Sequence, residues 1–379
     1  MHLLLLLSGE HIPLARQEAI NLLGLHGIKS VGRLLIGEMN AKKLSLVSRL
    51  SFTKIAAQLL FSCHQNKIRE NMEKISWNSY CRKSFCLRIN NLADRSAAPS
   101  SARSSGAGDI ADIQHHAQNG SNRSSNPANI PPWFTEKQLA GIIWRSIDRP
   151  KVDLENPETK VIIMVDGKKA WCGIERPLAR AHFEERRDPY RPEPHPTTLH
   201  PKLARCMVNL TGIEKGKIVD PFCGAGGILI EAGLMGLRAE GMDLYAAMVE
   251  KAKKNLDFYH IKNFHMRNVD ALKLKGPVDY VVSDVPYGLN TSLWAEKDGA
   301  PVRISLPKGR QAQRLKRILE FYLTFLGSLK KALRKRAVVA FPAHAHAGKL
   351  LKKAGFSVEK KFSQRIHRSL AREIYVFRP

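Results

Sequence analysis

Four acidic residues in the second half of the chain each follow a short segment with the composition of a buried β-strand. The four are Asp220, Asp243, Asp270 and Asp284. Before the last of them, Val278–Val282 is β-branched and aromatic and is bounded by Pro277 and Pro286. Unbroken apolar runs are typical of parallel strands, and ligands bind at the carboxyl ends of such strands. The series therefore predicts an α/β domain with acidic residues around one crevice.

A glycine-rich turn follows the first of these acids. Backbone N–H groups at such a turn between a strand and a helix can approach a cofactor closely. A dinucleotide motif fits poorly, because Leu229 occupies the position of its last glycine counted from Gly224. An S-adenosylmethionine site needs an acid, clearing glycines and an acid after the next strand, which Asp220, Gly226 and Asp243 supply. A turn that binds no ligand is the remaining alternative.

The later acids also have a structural and a functional interpretation. Asp270 alone is typical of a helix cap, but in this series it is a candidate for the adenine amine of a cofactor. The Asp284–Tyr287 segment combines an acid, a backbone carbonyl and an aromatic ring, which suit an amine and a flat base. A turn with no chemical role is the alternative. Cys223 has no paired base and is expected to be a packing residue.

The charge of the chain indicates a polyanionic partner. Its 379 residues include 61 Lys and Arg against 34 Asp and Glu, a formal net charge of +27. Each phosphate neutralised by such residues releases counterions, and neither an amphipathic anchor nor a lipidation signal favours a membrane instead. Candidate RNA contacts near the end of the chain are Arg365, His367, Arg368 and Arg372. A solvated basic loop is the alternative for this group.

The six cysteines show neither C-x-x-C spacing nor a metal-ligand pattern with histidine, so no metal site is predicted. Reduced thiols are typical of a cytoplasmic protein. Leu3–Leu7 is too short for a secretory signal core and is predicted to be a buried first strand, and no segment is long and apolar enough to span a bilayer.

The first half has the pattern of an α+β region. The predicted strands are Leu3–Leu7 and Val31–Ile36. The predicted helices are Pro13–Leu25 and Ala41–Cys63. Residues from about 91 to 131 are rich in Ser, Ala, Asn and Gly and are predicted to be a disordered insertion. A helix at Phe134–Ile147, capped by Thr135, and a hairpin of Val161–Val165 with Ala170–Ile174 follow. Proline-rich residues 176–195 are predicted to be a semi-rigid linker.

Two stretches resemble known families. Val152–Glu158, leading into the hairpin, resembles the end of a THUMP domain, the RNA-binding module of several tRNA-modifying enzymes. The Asp284–Gly288 segment resembles the D/N-P-P-Y motif of class I S-adenosylmethionine-dependent methyltransferases that act on exocyclic amines. His195–Arg205 and the ending Ile366–Arg372 further resemble the archaeal tRNA (guanine-10-N2-)-methyltransferases. Val285 departs from the family, which usually has a proline there.

The resemblance implies a Rossmann-like class I methyltransferase domain with a mostly parallel seven-stranded sheet at 196–379, and an α+β RNA-binding region of THUMP type at 1–175. It implies methyl transfer from S-adenosylmethionine to N2 of a tRNA guanine, at position 10, once or twice. The implied catalytic residues are Asp284, Val285, Pro286 and Tyr287. The implied cofactor residues are Thr197, Thr198, Asp220, Phe222, Gly224, Gly226, Asp243, Leu244, Asp270, Ala271 and Asp284.

The chain is expected to be a monomer, and the implied partner is tRNA. A small zinc-containing activator subunit, as in related eukaryotic enzymes, is a further candidate. Three alternatives stay open. The enzyme could act on another tRNA position or on rRNA, or it could be a DNA amine methyltransferase, which shares the loop but not the THUMP-like half. A non-catalytic RNA-binding scaffold that has kept the fold is the alternative of a different class.

Overall fold

The computed structural model of the protein describes residues 1–92, 134–179, 182–287, 293–297, 300–304, 311–367 and 370–379. The predicted insertion at about 91–131 lies almost entirely outside these residues. Two compact units emerge from the contacts. The split unit comprises Leu3–Ala56 and Arg176–Pro379, and the middle unit comprises Ala57–Glu175.

The leader of the split unit is a small α/β layer. Its elements are β1 (His2–Leu7), α1 (Ile12–Leu23), β2 (His26–Val31), β3 (Leu34–Glu38), a 3₁₀ helix (Ala41–Arg49) and the start of β4 (Thr53–His64). The strand order here is β2-β3-β1-β4. All five leucines of β1 are buried, which confirms the predicted first strand. Helix α1 ends at Gly24, whose left-handed φ of 65° suits glycine.

Two predictions in this leader are wrong. Val31–Ile36 is not one strand, because Gly32, with φ of +53°, turns the chain between β2 and β3. Ala41–Cys63 is not one helix, because its second part is the strand β4. The apolar spacing of a short amphipathic segment fits both periods, and pairing with distant strands decides between them.

The middle unit is an α+β arrangement. Its remaining elements are α2 (Ile68–Glu73), β5 (Phe85–Asn91), α3 (Glu136–Ser146), β6 (Thr159–Asp166) and β7 (Lys169–Arg176). The strands follow the order β4-β7-β6-β5, with β5 parallel to β6 and β7 antiparallel to it. Thr135 and Gln138 form a reciprocal capping box at α3, which confirms the predicted cap. The antiparallel pairing of β6 with β7 confirms the predicted hairpin.

The rest of the split unit contains a second, mostly parallel sheet. Its elements are α4 (Pro201–Leu210), β8 (Lys217–Asp220), α5 (Gly227–Leu234), β9 (Arg238–Asp243), α6 (Ala246–Phe258), β10 (Phe264–Asn268), β11 (Val278–Asp284), a small hairpin of β12 (Leu293–Lys297) and β13 (Ala300–Ile304), α7 (Gln311–Ala332), β14 (Leu333–Pro342), α8 (Ala347–Lys353), β15 (Ser357–His367) and β16 (Leu370–Arg378). The strand order is β10-β9-β8-β11-β14-β16-β15. Only β16 runs opposite to the others in the described sheet. The predicted seven-stranded α/β sheet is confirmed.

Helices cover both faces of this sheet, and the two-residue period of the strands divides the core between them. Val281 and Val339 pack in the cluster that contains Phe325 of α7. Their neighbours Val282 and Val338 pack in the cluster that contains Met207 of α4. With both faces covered, the carboxyl edge of the sheet is where a crevice can open.

The leader packs on the second sheet's helix layer through α1 and α4. Glu18 is fully buried and accepts hydrogen bonds from the Ser51 backbone N–H (2.8 Å) and hydroxyl (2.7 Å), from the Phe52 N–H (3.0 Å) and from Asn209 Nδ2 (2.8 Å). Asn209 Nδ2 also donates to the Arg49 carbonyl. Residues 3–56 are therefore joined to the second half of the chain by a buried polar network.

Candidate functional site

The glycine turn after β8 has the backbone that its sequence predicts. Gly224 and Gly226 have φ values of 50° and 86°, in the region that favours glycine. Asp220 begins the turn and accepts a hydrogen bond of 3.1 Å from the Phe222 N–H. At Gly227, an added Cβ would lie only 2.5 Å from Thr198 Cγ2. Only glycine therefore lets the start of α5 approach the segment that contains Thr198.

This turn forms one wall of a cavity that is open to solvent. The lining residues are His195, Thr197, Thr198, Leu199, Asp220, Phe222, Cys223, Gly224, Ala225, Gly227, Ile228 and Asp284. The predicted cofactor residues among them are Thr197, Thr198, Asp220, Phe222, Gly224 and Asp284. The cavity brings the first and last acids of the series together.

Asp243, the second acid, lies at the end of the next strand and accepts a hydrogen bond from the glycine turn. Its Oδ2 accepts from the Gly224 N–H (3.1 Å) and its Oδ1 from the Tyr245 N–H (2.9 Å). Burial raises the pKa of Asp243, and these two hydrogen bonds oppose the rise. Each carboxylate oxygen can accept a second hydrogen bond, so a hydroxyl of a ligand can still bind there.

The other predicted cofactor residues lie outside the cavity lining. Asp270 is buried and caps a 3₁₀ turn by accepting 2.8 Å from the Leu272 N–H, as its structural interpretation predicts. Ala271 is buried beside it, and the carbonyl of Leu244 accepts a hydrogen bond of 2.8 Å from Asn268 Nδ2. The cofactor roles of Asp270, Ala271, Leu244 and Gly226 stay predictions.

The ends of β8 and β11 are joined through their side chains. Ser283 Oγ donates a hydrogen bond of 2.6 Å to Asp220 Oδ1. Burial raises the pKa of Asp220 to about 7, and the charges of Asp284 and Asp243 act in the same direction, whereas the Ser283 hydrogen bond opposes them. The cavity thus holds two neighbouring carboxyl groups that ionise less readily than in water.

The segment after Asp284 is held by two hydrogen bonds. The Val285 N–H donates 3.1 Å to the Ala340 carbonyl, and the side chain of Val285 is buried. Tyr322 of α7 donates 2.8 Å to the Pro286 carbonyl. A proline at position 285 could not make the first of these bonds. Gly288–Thr291, the rest of the predicted loop, lies outside the described residues.

Asp284 itself contacts the side chains of a tyrosine and an arginine. Tyr287 Oη donates a hydrogen bond of 2.8 Å to Asp284 Oδ1, and Arg372 Nη1 lies 3.5 Å from Oδ2. The Arg372 guanidinium also lies over the Tyr287 ring, 5.9 Å from its centroid. Burial raises the pKa of Asp284, while Arg372 and Tyr287 lower it.

The sequence predicts Arg372 only as a candidate RNA contact and offers no link between it and Asp284. It also gives no role to Ser283 or Tyr322. The local signal for Ser283 was its position beside an acid at a strand end, whereas Tyr322 and Arg372 are distant in sequence. Of the other proposed RNA contacts, Arg368 and the side chain of His367 lie outside the described residues.

The site suits S-adenosylmethionine better than a metal or a covalent mechanism. Carboxylates and backbone N–H groups at a glycine turn match the hydroxyls and the amino acid portion of that cofactor. Cys223 is buried, and burial raises its pKa well above the usual value, so it is a packing residue. Among the described residues, no group of three or more His, Cys, Asp or Glu is placed to hold a metal ion.

Comparisons with known proteins agree with this geometry. Residues 188–298 match the RMKL-like methyltransferase domain family. The tRNA (guanine(10)-N2)-dimethyltransferase of Methanothermobacter thermautotrophicus is 30% identical over 388 residues, covering 99% of each chain. The enzyme of that name from Pyrococcus abyssi is 37% identical over 64% of this chain and 68% of its own.

Among solved structures, TrmN from Thermus thermophilus aligns with 100% of this chain and 99% of its own, at 15% identity and a TM-score of 0.44. The family itself is shown by the sequence relatives, because one of them matches over nearly its whole length. The chain belongs to the tRNA (guanine(10)-N2)-dimethyltransferase family.

Proposed function

We propose that this protein transfers methyl groups from S-adenosylmethionine to N2 of guanine 10 in tRNA, and that it adds two of them. The observation that carries the chemistry is the position of Asp284, which lines the same cavity as the glycine turn. The same cavity therefore contains a carboxylate that can accept a hydrogen bond from an amine and a turn that can bind the methyl donor. The tRNA substrate, the position and the dimethylation are those named for the relatives.

The cofactor would be held by the turn and the acids around it. Thr197, Thr198, Phe222 and Gly224 supply walls and backbone contacts, and Asp220 and Asp243 supply acceptors for hydroxyl or ammonium groups. Gly226, Leu244, Asp270 and Ala271 are assigned to the same ligand through the family. When bound, S-adenosylmethionine supplies an electrophilic methyl group on a sulfonium.

Asp284 and the carbonyl of Val285 would hold the exocyclic amine of guanine. This amine is a poor nucleophile because its lone pair is delocalised into the ring. Two acceptors that each take one N–H leave the lone pair directed away from them, which supplies orientation. Burial raises the pKa of Asp284, so its carboxylate is also a better acceptor for the proton that the amine loses. Pro286 fixes the turn, and Tyr287 provides a face on which a flipped base stacks.

The middle unit would contribute most of the THUMP-type RNA-binding region, which comprises residues 1–175. Residues 176–195 would be the linker and residues 196–379 the methyltransferase domain. The α+β arrangement of the middle unit and the resemblance of Val152–Glu158 to the end of a THUMP domain support this division. The net charge of +27 favours tRNA as the partner. We further propose a cytoplasmic monomer, with a zinc-containing activator as a candidate partner. No helix of the described chain has the length and hydropathy to cross a bilayer.

Two measurements on the full chain test the proposal. Calorimetry with S-adenosylmethionine separates an enzyme from a non-catalytic RNA-binding scaffold, because only the enzyme needs to bind the cofactor. With unmodified tRNA and labelled cofactor, Asp284→Ala should lose at least a hundredfold in rate and keep its cofactor affinity within about threefold. Absence of cofactor binding by the wild type would contradict the enzymatic function. Transfer to another nucleotide would contradict the position only.

A further inference from the structure

Arg372 reaches Asp284 from a strand that is not its neighbour. Asp284 on β11 is in register with Ala340 on β14, which is in register with Ile374 on β16. Arg372 lies two residues before Ile374, and therefore on the same face of the sheet. Its long side chain crosses β14, and its Nη1 lies 3.5 Å from Asp284 Oδ2. The order and register of the strands therefore bring Arg372 to Asp284.

Two donors of Arg372 have no acceptor among the residues that the structure describes. The side chain is only 12% exposed, yet neither Nε nor Nη1 has a hydrogen-bond partner in the part of the chain that the structure describes. The 3.5 Å approach to Asp284 is an ion pair without hydrogen-bond geometry. Buried guanidinium donors are normally satisfied, because a missing partner costs free energy. These unsatisfied donors belong to a side chain beside Asp284, which lines the cavity, and they therefore indicate an acceptor on the ligand.

The substrate edge that matches this arrangement is that of guanine. Along its Watson–Crick edge guanine presents the N2 amine and N1–H as donors, followed by the acceptor O6. Asp284 is an acceptor and Arg372 beside it is a donor, so the pair is complementary to that sequence of groups. Adenine has an amine in place of O6, which would bring two donors together.

We propose that Arg372 is a specificity-determining residue that donates a hydrogen bond to O6 of the target guanine while Asp284 accepts from the amine. This inference rests on the proposed function, since it requires that the amine of guanine bind at Asp284. It also changes the role predicted for Arg372 from general RNA contact to recognition of one base atom. Arginine suits this task because its fork holds several donors in a fixed plane.

The test combines enzyme variants with a change in one substrate base. Wild type and Arg372→Met are each given tRNA with guanine or with 2-aminopurine at position 10. 2-Aminopurine keeps the amine at carbon 2 and lacks O6. Rates are compared at the pH plateau of each variant, so that a changed ionisation of Asp284 does not contribute. Arg378→Met, an exposed arginine on the same strand that pairs with Glu359, is the matched control.

If Arg372 contacts O6, Arg372→Met lowers kcat/KM for guanine about tenfold to a hundredfold, and lowers kcat/KM for 2-aminopurine less than threefold. Equal losses on both bases would overturn the assignment and leave Arg372 as a residue that only positions Asp284. Arg372→Lys, which keeps a charged donor, should recover part of the guanine rate if Arg372→Met fails to fold. No recovery by a folded Arg372→Lys, with cofactor affinity intact, would also count against the proposal.

The wild-type arm separates this inference from the function on which it rests. Failure of the wild type to methylate guanine 10 would contradict the proposed function before any variant is considered. Normal methylation by the wild type with an unchanged guanine rate in Arg372→Met would contradict only the role of Arg372.

Discussion

The hydroxyl of Tyr287 donates a hydrogen bond of 2.8 Å to Oδ1 of Asp284. The ring that is proposed to stack on the base therefore also fixes the carboxylate that is proposed to hold the amine. Tyr322, which bonds to the carbonyl of Pro286, holds the backbone between them. The acid, the turn and the ring thus act as one preorganised group.

Replacing Tyr287 should separate its two roles. Tyr287→Phe keeps the stacking face and removes the hydrogen bond to Asp284, and a hydrogen bond to a charged group contributes about 1.5–3 kcal/mol. We expect kcat to fall about tenfold to a hundredfold with tRNA affinity unchanged. Tyr287→Ala should also weaken tRNA binding. Steady-state kinetics on unmodified tRNA measures both, and equal behaviour of the two variants would show that the hydroxyl has no role of its own.

Asp220 should make stability depend on pH. Burial raises its pKa to about 7 in the folded protein, against 3.8 as its ordinary value. The folded state then holds a proton that the unfolded state releases, so stability falls as pH rises from about 4 to 7. Asp220→Asn carries no charge and keeps an oxygen acceptor for Ser283. The free energy of unfolding of Asp220→Asn, measured relative to that of the wild type, should therefore be about 1–4 kcal/mol higher at pH 8 than at low pH.

Thermal unfolding of the cofactor-free protein at pH 5 and pH 8 measures this difference. Asp257→Asn, at an exposed position in α6, is the control and should show no such trend. A gap between Asp220→Asn and wild type that stays constant over this range would contradict the account of Asp220.

The close approach at Gly227 should be required for the cofactor cavity. In Gly227→Ala the new Cβ would lie 2.5 Å from Thr198 Cγ2. Both residues line the cavity, so their separation should weaken S-adenosylmethionine binding by about fivefold to a hundredfold, the equivalent of 1–3 kcal/mol of overpacking.

Thr198→Ser removes the clashing methyl and keeps the hydroxyl that donates to the His195 carbonyl. It should restore much of the affinity in the double variant, as calorimetry can determine. Gly327→Ala is the matched control, because among the described residues no other side chain lies within 4 Å of a Cβ added at that position. If Thr198→Ser fails to rescue a folded Gly227→Ala, the contact between the two residues is not what shapes the cavity.

Asn209, which does not line the cavity, should contribute to the free energy of unfolding. Asn209→Ala removes a donor from the buried carboxylate of Glu18 and leaves the Arg49 carbonyl without that partner. We expect a loss of about 2–4 kcal/mol in the free energy of unfolding. Urea unfolding measures it, with Asn263→Ala at an exposed position as control. A loss as small as that of the control would mean that the leader contributes little to the stability of the split unit.

The sequence allowed the second sheet and much of the cavity to be predicted because their signals are local. Val278–Val282 has the composition of a buried strand, and Asp220 stands four residues before Gly224, the first glycine of the turn. The capping pair Thr135 and Gln138 is three residues apart and was equally readable. In each case the residues that specify the structure are neighbours in the chain.

What could not be predicted depends on residues that are distant in sequence. Arg372 is brought to Asp284 by the antiparallel strand β16, and Glu18 meets Asn209 across 191 positions. The segment Ala41–Cys63 was predicted to be a helix because its spacing fits one, whereas strand pairing makes Thr53–His64 extended. Such contacts follow from strand order and packing, which local periodicity does not contain.

The central claim is tested most directly by incubating the wild-type protein with an unmodified tRNA transcript and labelled S-adenosylmethionine, and then mapping the labelled nucleotide. The account predicts label on N2 of guanine 10, recovered as dimethylguanosine at completion. A transcript with adenine at position 10 should remain unlabelled. Label elsewhere in the guanine-10 transcript, or equal labelling of the adenine-10 transcript, would contradict it.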